Sequence, residues 1–401
     1  MYVYADNAAT TSLSPGALAA MMPYLTESFG NPGGIHRVAK EAKTAVEGAR
    51  EAIAALLGAR PSEIFFTSGG SESDTWALRG CTEAWSTDHA DIPFTIVTSS
   101  IEHHAVLHAC TQLKQNGCRI VVLPVDTQGH VLAETLEDAL GSLDIAPSGG
   151  LVSIMLANNE VGTTQDIAAL SKIAHEHGLL FHTDAVQAAG HIPVNARDLD
   201  VDMLSISAHK FHGPKGMGGL YIKHGTPICP LIPGGGQQNG MRGGTENIAG
   251  IVGMAHALKE CAEALPQTIP RVISARKQLT AAVLASCPDV IPTGDASDAG
   301  RLPSIASFIC PDVDAQLLIT ILDEDGIAAA TGSACSAGSI EPSHVITALG
   351  YTDKRLSQGT LRLSLADNIT TEELAYLCEH VPACINRAKQ VSGTSLPTLF
   401  A

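Results

Sequence analysis

Ile64-Phe-Phe-Thr-Ser-Gly-Gly-Ser-Glu-Ser-Asp74 is the stretch on which the fold turns. Ile64–Thr67 favours β structure and runs into a Ser-Gly-Gly turn, after which a helix starts. A short apolar run bounded by glycine reads as a strand buried on both faces. Gly69 and Gly70 let the backbone approach a ligand, and free N–H groups at a helix start can bind a phosphate. An ordinary capped turn between strand and helix fits the same residues.

Outward from this unit, from about residue 60 to 225, strand and helix signals alternate. Thr95–Ser99, Arg119–Val125, Leu151–Ala157, Leu180–Thr183, Met203–Ser207 and Gly219–Ile222 read as strands. Helical stretches run from about Ala105 to Gln115, over Leu132–Leu140, and over Ile167–His177, where Gly178 ends the helix. The alternation predicts an α/β fold with a mostly parallel sheet covered on both faces. Ligands in such folds sit at the carboxyl ends of the strands. Pro233–Gly244 reads as a loop, and a helix is expected from about Glu246 to Leu265. Beyond it, helices and strands mix as in a second domain, with no internal repeat and no low-complexity tract.

With 45% hydrophobic and 16% charged residues, the 401-residue chain is globular and long enough for a large domain plus a smaller one. A net charge of −17, from 24 basic and 41 acidic residues, repels phosphate backbones and argues against direct nucleic-acid binding. No apolar run reaches the ~18 residues of a membrane span. Met1–Thr10 lacks a basic segment followed by an apolar one, so a cytoplasmic location and no membrane partner are expected. The ten cysteines are scattered without a Cys-x-x-Cys pair. Most are expected as small buried hydrophobes rather than disulfide partners.

Three further segments carry chemistry. Phe181-His-Thr-Asp-Ala-Val-Gln187 sets Asp184 just past a buried strand. A carboxylate there needs a cation, such as a protonated pyridine nitrogen, although an Asp capping the next helix fits equally well locally. Ser205-Ile-Ser-Ala-His-Lys210, followed by Phe-His-Gly-Pro-Lys-Gly216, places Lys210 at the end of an apolar strand. Desolvation lowers a lysine pKa there, and a neutral amine can form a Schiff base. Lys215, deeper in the turn, is the better candidate for an ordinary solvated loop lysine. Ala330-Thr-Gly-Ser-Ala-Cys-Ser-Ala-Gly338 surrounds Cys335 with small residues, which suits a nucleophile that must swing, and also suits a plain turn.

Together these segments resemble the cysteine desulfurases of the NifS/IscS-like type, relatives of the class V aminotransferases. The resemblance spans nearly the whole chain. It takes in Tyr4-Ala-Asp-Asn-Ala-Ala-Thr-Thr11, Gly30-Asn-Pro-Gly-Gly-Ile-His36, Ile101-Glu-His-His-Ala-Val106 and Ala157-Asn-Asn-Glu-Val-Gly162. It continues through Met241-Arg-Gly-Gly-Thr245 to Leu361-Arg-Leu-Ser-Leu365. It implies the fold-type-I architecture of pyridoxal 5'-phosphate (PLP) enzymes. The large domain would span residues 15–260, and a smaller α+β domain residues 1–14 and 261–401, carrying the Cys335 loop.

The same resemblance implies roles. Lys210 would hold PLP as a Schiff base, His103 would stack on its ring and handle the substrate thiol proton, and Asp184 would pair with its ring nitrogen. Asn159 and Gln187 would bond the cofactor's phenolic oxygen or the substrate carboxylate. Gly70, Ser71, Ser207 and His209 would hold the phosphate, with Thr245 reaching in from the other subunit of a homodimer. Arg362 would clamp the carboxylate of L-cysteine, and Asn31 would lie on the substrate side. Cys335 would receive the sulfur and pass it to an acceptor protein for iron–sulfur cluster assembly or thiolation.

Gly33-Gly34 stands where a Ser-Ser pair is common in the family, and Gly-Gly-Ser-Glu-Ser at 69–73 where Gly-Ala-Thr-Glu-Ser is usual. Neither change removes a reactive group. The stretch after Arg387 does not resemble the tail with which some members dock a cluster scaffold, so the acceptor stays open. Rival readings are a selenocysteine lyase, an aminotransferase, a silent relative that only binds partners, or a metal-binding scaffold. The last would use His103, His104, His108 and Cys110, with His104 and His108 one helical turn apart. No metal is expected for the desulfurase reading.

Overall fold

A computed structural model describes residues 1–332 and 342–393 of the chain. Its central sheet has seven strands, ordered Ile64–Thr67, Gly218–Ile222, Met203–Ser207, Leu180–Asp184, Gly150–Ser153, Thr95–Ser99 and Arg119–Leu123. The run from Met203–Ser207 to Arg119–Leu123 is parallel, in a register that sets Val97 beside both Val121 and Val152. Gly218–Ile222 is antiparallel to both of its neighbours. The ten residues between Ser207 and Gly218 are too few for the crossover that a parallel partner requires. The central strands are buried along their whole length because helices cover both faces, which is why they read as unbroken apolar runs.

Two strands are shorter than the sequence predicts. Arg119–Leu123 stops ahead of Pro124, which has no N–H to give to a ladder. Gly150–Ser153 replaces the expected Leu151–Ala157 because its Thr95–Ser99 partner ends there. The chain nevertheless stays beside Leu180–Asp184, with the Leu156 N–H donating to the Asp184 carbonyl at 2.8 Å. That path leads Asn159 and Glu160 to the sheet's carboxyl edge.

A second apolar core lies apart from the first. It gathers Val3 and Ala5 with Phe308, Leu322, Leu363 and Leu377. Its strands Ile291–Pro292, Ile305–Ile309 and Thr360–Ser364 form an antiparallel sheet, and Val3–Tyr4 pairs in parallel with Ile327–Ala328. The helix Ile248–Ser286 joins the two cores: Ile251, Met254 and Leu258 pack in the first, Val272, Leu279 and Val283 in the second. The helix expected to end near Leu265 continues through Pro266 and Pro270. An interior proline costs about 3 kcal/mol. Burying the Val and Leu side chains that follow, at ~1.5–3 kcal/mol each, offsets that cost. The expected division after residue 260 therefore falls inside one continuous helix.

No helix among the described residues is long and apolar enough to cross a membrane. Nine of the cysteines are described; all are unpaired and seven are buried. Burial pushes the thiols of Cys110 and Cys261 up to about 12, so at neutral pH they are protonated packing groups.

Candidate active site

The strand Met203–Ser207 is apolar and buried up to its end, then breaks into a single turn over Ala208–Lys210. The turn delivers Lys210 into a cavity of about 320 Å³ at the carboxyl edge of the sheet. Lys210 Nζ donates to the carbonyls of Ala8 and Ala9 at 2.7 and 2.9 Å. Behind it, His191 Nε2 donates to the Lys210 carbonyl at 2.8 Å.

Asp184 ends the neighbouring strand and is buried in the same cavity. Its Oδ1 accepts the Val186 N–H at 2.8 Å. Burial raises its pKa, against the opposing pull of that N–H and of Lys210. Asp74, in the helix Gly70–Asp88, also lines the cavity, and its Oδ1 has no hydrogen-bond partner among the described residues. Burial, with the Asp184 charge as second cause, raises Asp74 well above the usual carboxylate range. Beneath them His182 lies 2.9 Å from Ser153 Oγ and 3.0 Å from Ser205 Oγ, and burial lowers it to about 3, so it is neutral. Two buried carboxyls on a neutral floor set up a site that favours a cation.

His103 caps the helix His104–Gln115, its Nδ1 accepting the Ala105 N–H at 3.1 Å. Burial first, and the Lys210 charge second, bring its pKa down to about 4. The ring is neutral at pH 7, with its proton on Nε2 because Nδ1 is an acceptor.

Gly70, Ser71, Ser207 and His209 line the cavity where the helix Gly70–Asp88 begins, and also a shallower pocket with Thr10 and Lys215. A Cβ on Gly70 would stand 2.7 Å from Val186 Cγ2, so glycine keeps this approach open. Burial, then the Lys210 charge, lower His209 to about 4, while its Nδ1 lies 3.1 Å from Thr10 Oγ1. Helix N–H groups, two serines and a nearby lysine form an anion cradle.

The opposite wall comes from the second core. Arg362, on the strand Thr360–Ser364, is 2% exposed. It donates from Nη1 to the Asn159 carbonyl at 2.9 Å and from Nη2 to Asp6 Oδ1 at 2.6 Å. Its buried Nε has no partner among the described residues. Gln187 Nε2 donates to the Ala8 carbonyl at 2.9 Å, beside the Lys210 amine.

The cavity thus gathers Gly70, Ser71, His103, Asn159, Asp184, Gln187, Ser207, His209, Lys210 and Arg362 from the sequence reading. It does not gather Asn31, which is exposed and uses its Oδ1 to accept the Gly33 N–H at 3.0 Å. Thr245 borders a separate pocket with Gln238 and Arg242. Cys335 lies outside the described residues. Sequence reading missed Asp74, Glu160 and His344, which also line the cavity, as does His104, which it named only as a candidate metal ligand. Asp74 stands one helical turn beyond Gly70, and Glu160 follows Asn159 directly; these spacings were the available signals. The His104 and His108 rings stack at 4.9 Å, but among the described residues no group of three or more His, Cys, Asp or Glu is placed to hold a metal ion.

A mostly parallel sheet whose carboxyl edge joins a lysine, a buried carboxylate and a helix N-terminus defines the fold-type-I architecture. The aminotransferase class-V family model matches residues 3–377. The chain belongs to that family and, within it, to the cysteine desulfurases. It is 45% identical to the cysteine desulfurase IscS of Dictyoglomus turgidum, over 97% of this chain and 96% of the relative. A solved NifS-like protein superposes with a TM-score of 0.87 at 37% identity, covering 96% of this chain and all of the other. The structure of SspA in complex with cysteine matches at a TM-score of 0.77 and 34% identity, over 90% of this chain and 98% of that one.

Proposed function

We propose that the protein is a PLP-dependent cysteine desulfurase that converts L-cysteine to L-alanine and carries the sulfur on Cys335 as a persulfide. The observation that carries this reading is the joining of Lys210, Asp184 and Arg362 in one buried cavity. The residues fit PLP. The anion cradle at Gly70 suits its phosphate, the buried Asp184 suits a protonated ring nitrogen, and Lys210 suits its aldehyde. Asn159 and Gln187 line the cavity between them. When bound, the cofactor supplies an electron sink that stabilises negative charge at the substrate α-carbon.

Arg362 anchors the carboxylate of L-cysteine, adding its Nε donor to a guanidinium otherwise held by Asp6 and Asn159. Lys210 Nζ removes the α-proton. His103, neutral and with Nδ1 engaged, offers Nε2–H to the cavity and stabilises the substrate thiolate. The Cys335 thiolate attacks the substrate sulfur. The carbon–sulfur bond breaks, its electron pair stays with the three-carbon skeleton, and protonation gives alanine. Cys335 keeps the sulfur as a persulfide. None of the nine described cysteines lines the cavity, which supports Cys335 in this role. A structural relative described as bound to cysteine supports the substrate.

The acceptor is a protein that takes persulfide sulfur for iron–sulfur cluster assembly or thiolation, and the setting is cytoplasmic. Thr245 lies away from its own cavity, which supports a homodimer in which it serves the partner's phosphate site.

The test is an absorbance spectrum of the purified protein before and after L-cysteine, with alanine and sulfide assayed under a thiol reductant. Lys210→Ala is expected to lose the Schiff-base band and to slow alanine formation by about 10⁴-fold. Cys335→Ser is expected to keep the band and lose sulfide release. A protein that takes up no PLP and makes no alanine sinks the reading.

A further inference from the structure

Glu160 has no part in the chemistry above, yet it is 4% exposed and lines the cavity. Its backbone is fixed, because its N–H donates to Asn158 Oδ1 at 2.8 Å and Asn158 Nδ2 donates to the Ile101 carbonyl at 2.9 Å. Its Oε2 accepts the hydroxyl of Ser343. The same Oε2 would lie 2.6 Å from a Cβ placed on Gly332, so Gly332 packs directly against the carboxyl. Gly332 and Ser343 flank the residues that include Cys335.

Two further bonds reinforce these flanks. The Gly332 N–H donates to Thr360 Oγ1 at 3.2 Å, and His344 Nε2 donates to the Glu102 carbonyl at 2.9 Å. Thr360 begins the strand that carries Arg362, and Glu102 precedes His103. Both flanks are therefore moored to residues that also fix the substrate and cofactor walls.

Cys335 follows Gly332 by three residues in the sequence, and Gly332 itself lines the cavity.

We infer that Glu160 is a positioning residue for sulfur transfer, mooring both flanks of the Cys335 segment to the cavity wall. This rests on the desulfurase reading. It acts on the transfer of sulfur to Cys335 and leaves cofactor uptake and cysteine binding alone. A side chain on Gly332 would meet the Glu160 carboxyl and require it to shift.

The test uses the full-length holoenzyme and separates two half-steps. Cysteine binding is read from the change in the cofactor's absorbance. Persulfide formation on Cys335 is read in a single turnover by alkylation and mass spectrometry. Ser343→Ala removes the bond to Glu160 together with the helix cap that Ser343 Oγ gives the Val345 and Ile346 N–H groups, whereas Glu160→Ala leaves that cap in place. It is expected to slow persulfide formation about tenfold while the spectral response keeps its cysteine dependence. Ser343→Thr, which restores the hydroxyl, is expected to recover most of the rate. Glu160→Ala is expected to match Ser343→Ala or exceed it, and the double variant to be no slower than Glu160→Ala. If wild type forms persulfide and Ser343→Ala forms it at the same rate, the inference is overturned alone. It is equally overturned if both half-steps fall together, since the role is then general stability. A wild-type holoenzyme that forms no persulfide overturns the desulfurase reading and this inference with it.

Discussion

The sheet-edge wall of the cavity and the wall contributed by the second core face one another, and their charged groups are settled in opposite ways. On the sheet edge, Asp184 and Asp74 are buried side by side, and burial raises both carboxyls. Their floor is a neutral histidine. On the other wall, Arg362 is neutralised by Asp6 and donates to the Asn159 carbonyl. The first wall carries an electrostatic demand that a resident cationic ring can meet, whereas the second is largely satisfied from within the chain. A group meant to stay gains most from the first kind of surface, and a substrate that must leave as product is better served by the second.

Between the two walls, the larger expected effect tests the demand on the first. Asp184→Asn removes the charge that would hold a protonated ring nitrogen and is expected to cut turnover by about 10²–10³-fold, the scale of losing one preorganised electrostatic partner. Steady-state alanine production checks it, with cofactor content measured in the same preparation. A loss below threefold would show that Asp74 serves equally well and would break the asymmetry between the two carboxyls.

A smaller effect is expected from the second wall. Arg362→Lys keeps a charge for Asp6 but loses the planar fork, so KM for L-cysteine is expected to rise about tenfold while kcat changes less. A fall in kcat with an unchanged KM would contradict a carboxylate anchor.

The smallest effect is spectroscopic. In the cofactor-free protein His103 is expected to titrate at about 4 by histidine NMR. In the unfolded chain the same ring titrates near ~6.5, so the unfolded state takes up the proton first. The contribution of His103 to stability is therefore lost progressively as pH falls from ~6.5 towards 4. Titration near 6.5 in the folded protein would mean that the ring is exposed rather than packed in the cavity.

The sheet and the lysine turn were legible because buried parallel strands write themselves as apolar runs, and because Lys210 follows such a run directly. The antiparallel strand was not read, since apolar content says nothing about direction; the short connection after Ser207 decides it. The helix through Pro266 escaped because local proline rules cannot weigh the apolar burial that lies beyond them. Asp74 escaped because a carboxylate one turn into a helix reads as an ordinary exposed residue, and only tertiary packing buries it beside Asp184. Asn31 was carried over by resemblance alone, and its neighbourhood here is an exposed turn.

The contacts around residues 5–9 bear on how the molecule is made. Ser364 Oγ accepts the Ala8 N–H at 2.8 Å, Ala5 accepts the Ser364 N–H at 2.7 Å, and the Ala8 and Ala9 carbonyls hold Lys210. On the ribosome, then, residues 5–9 must wait for Ser364, synthesised far later, before they can settle. The nascent chain can assemble its central sheet while it grows, but the reactive amine acquires its final neighbours only after the strand Thr360–Ser364 has emerged.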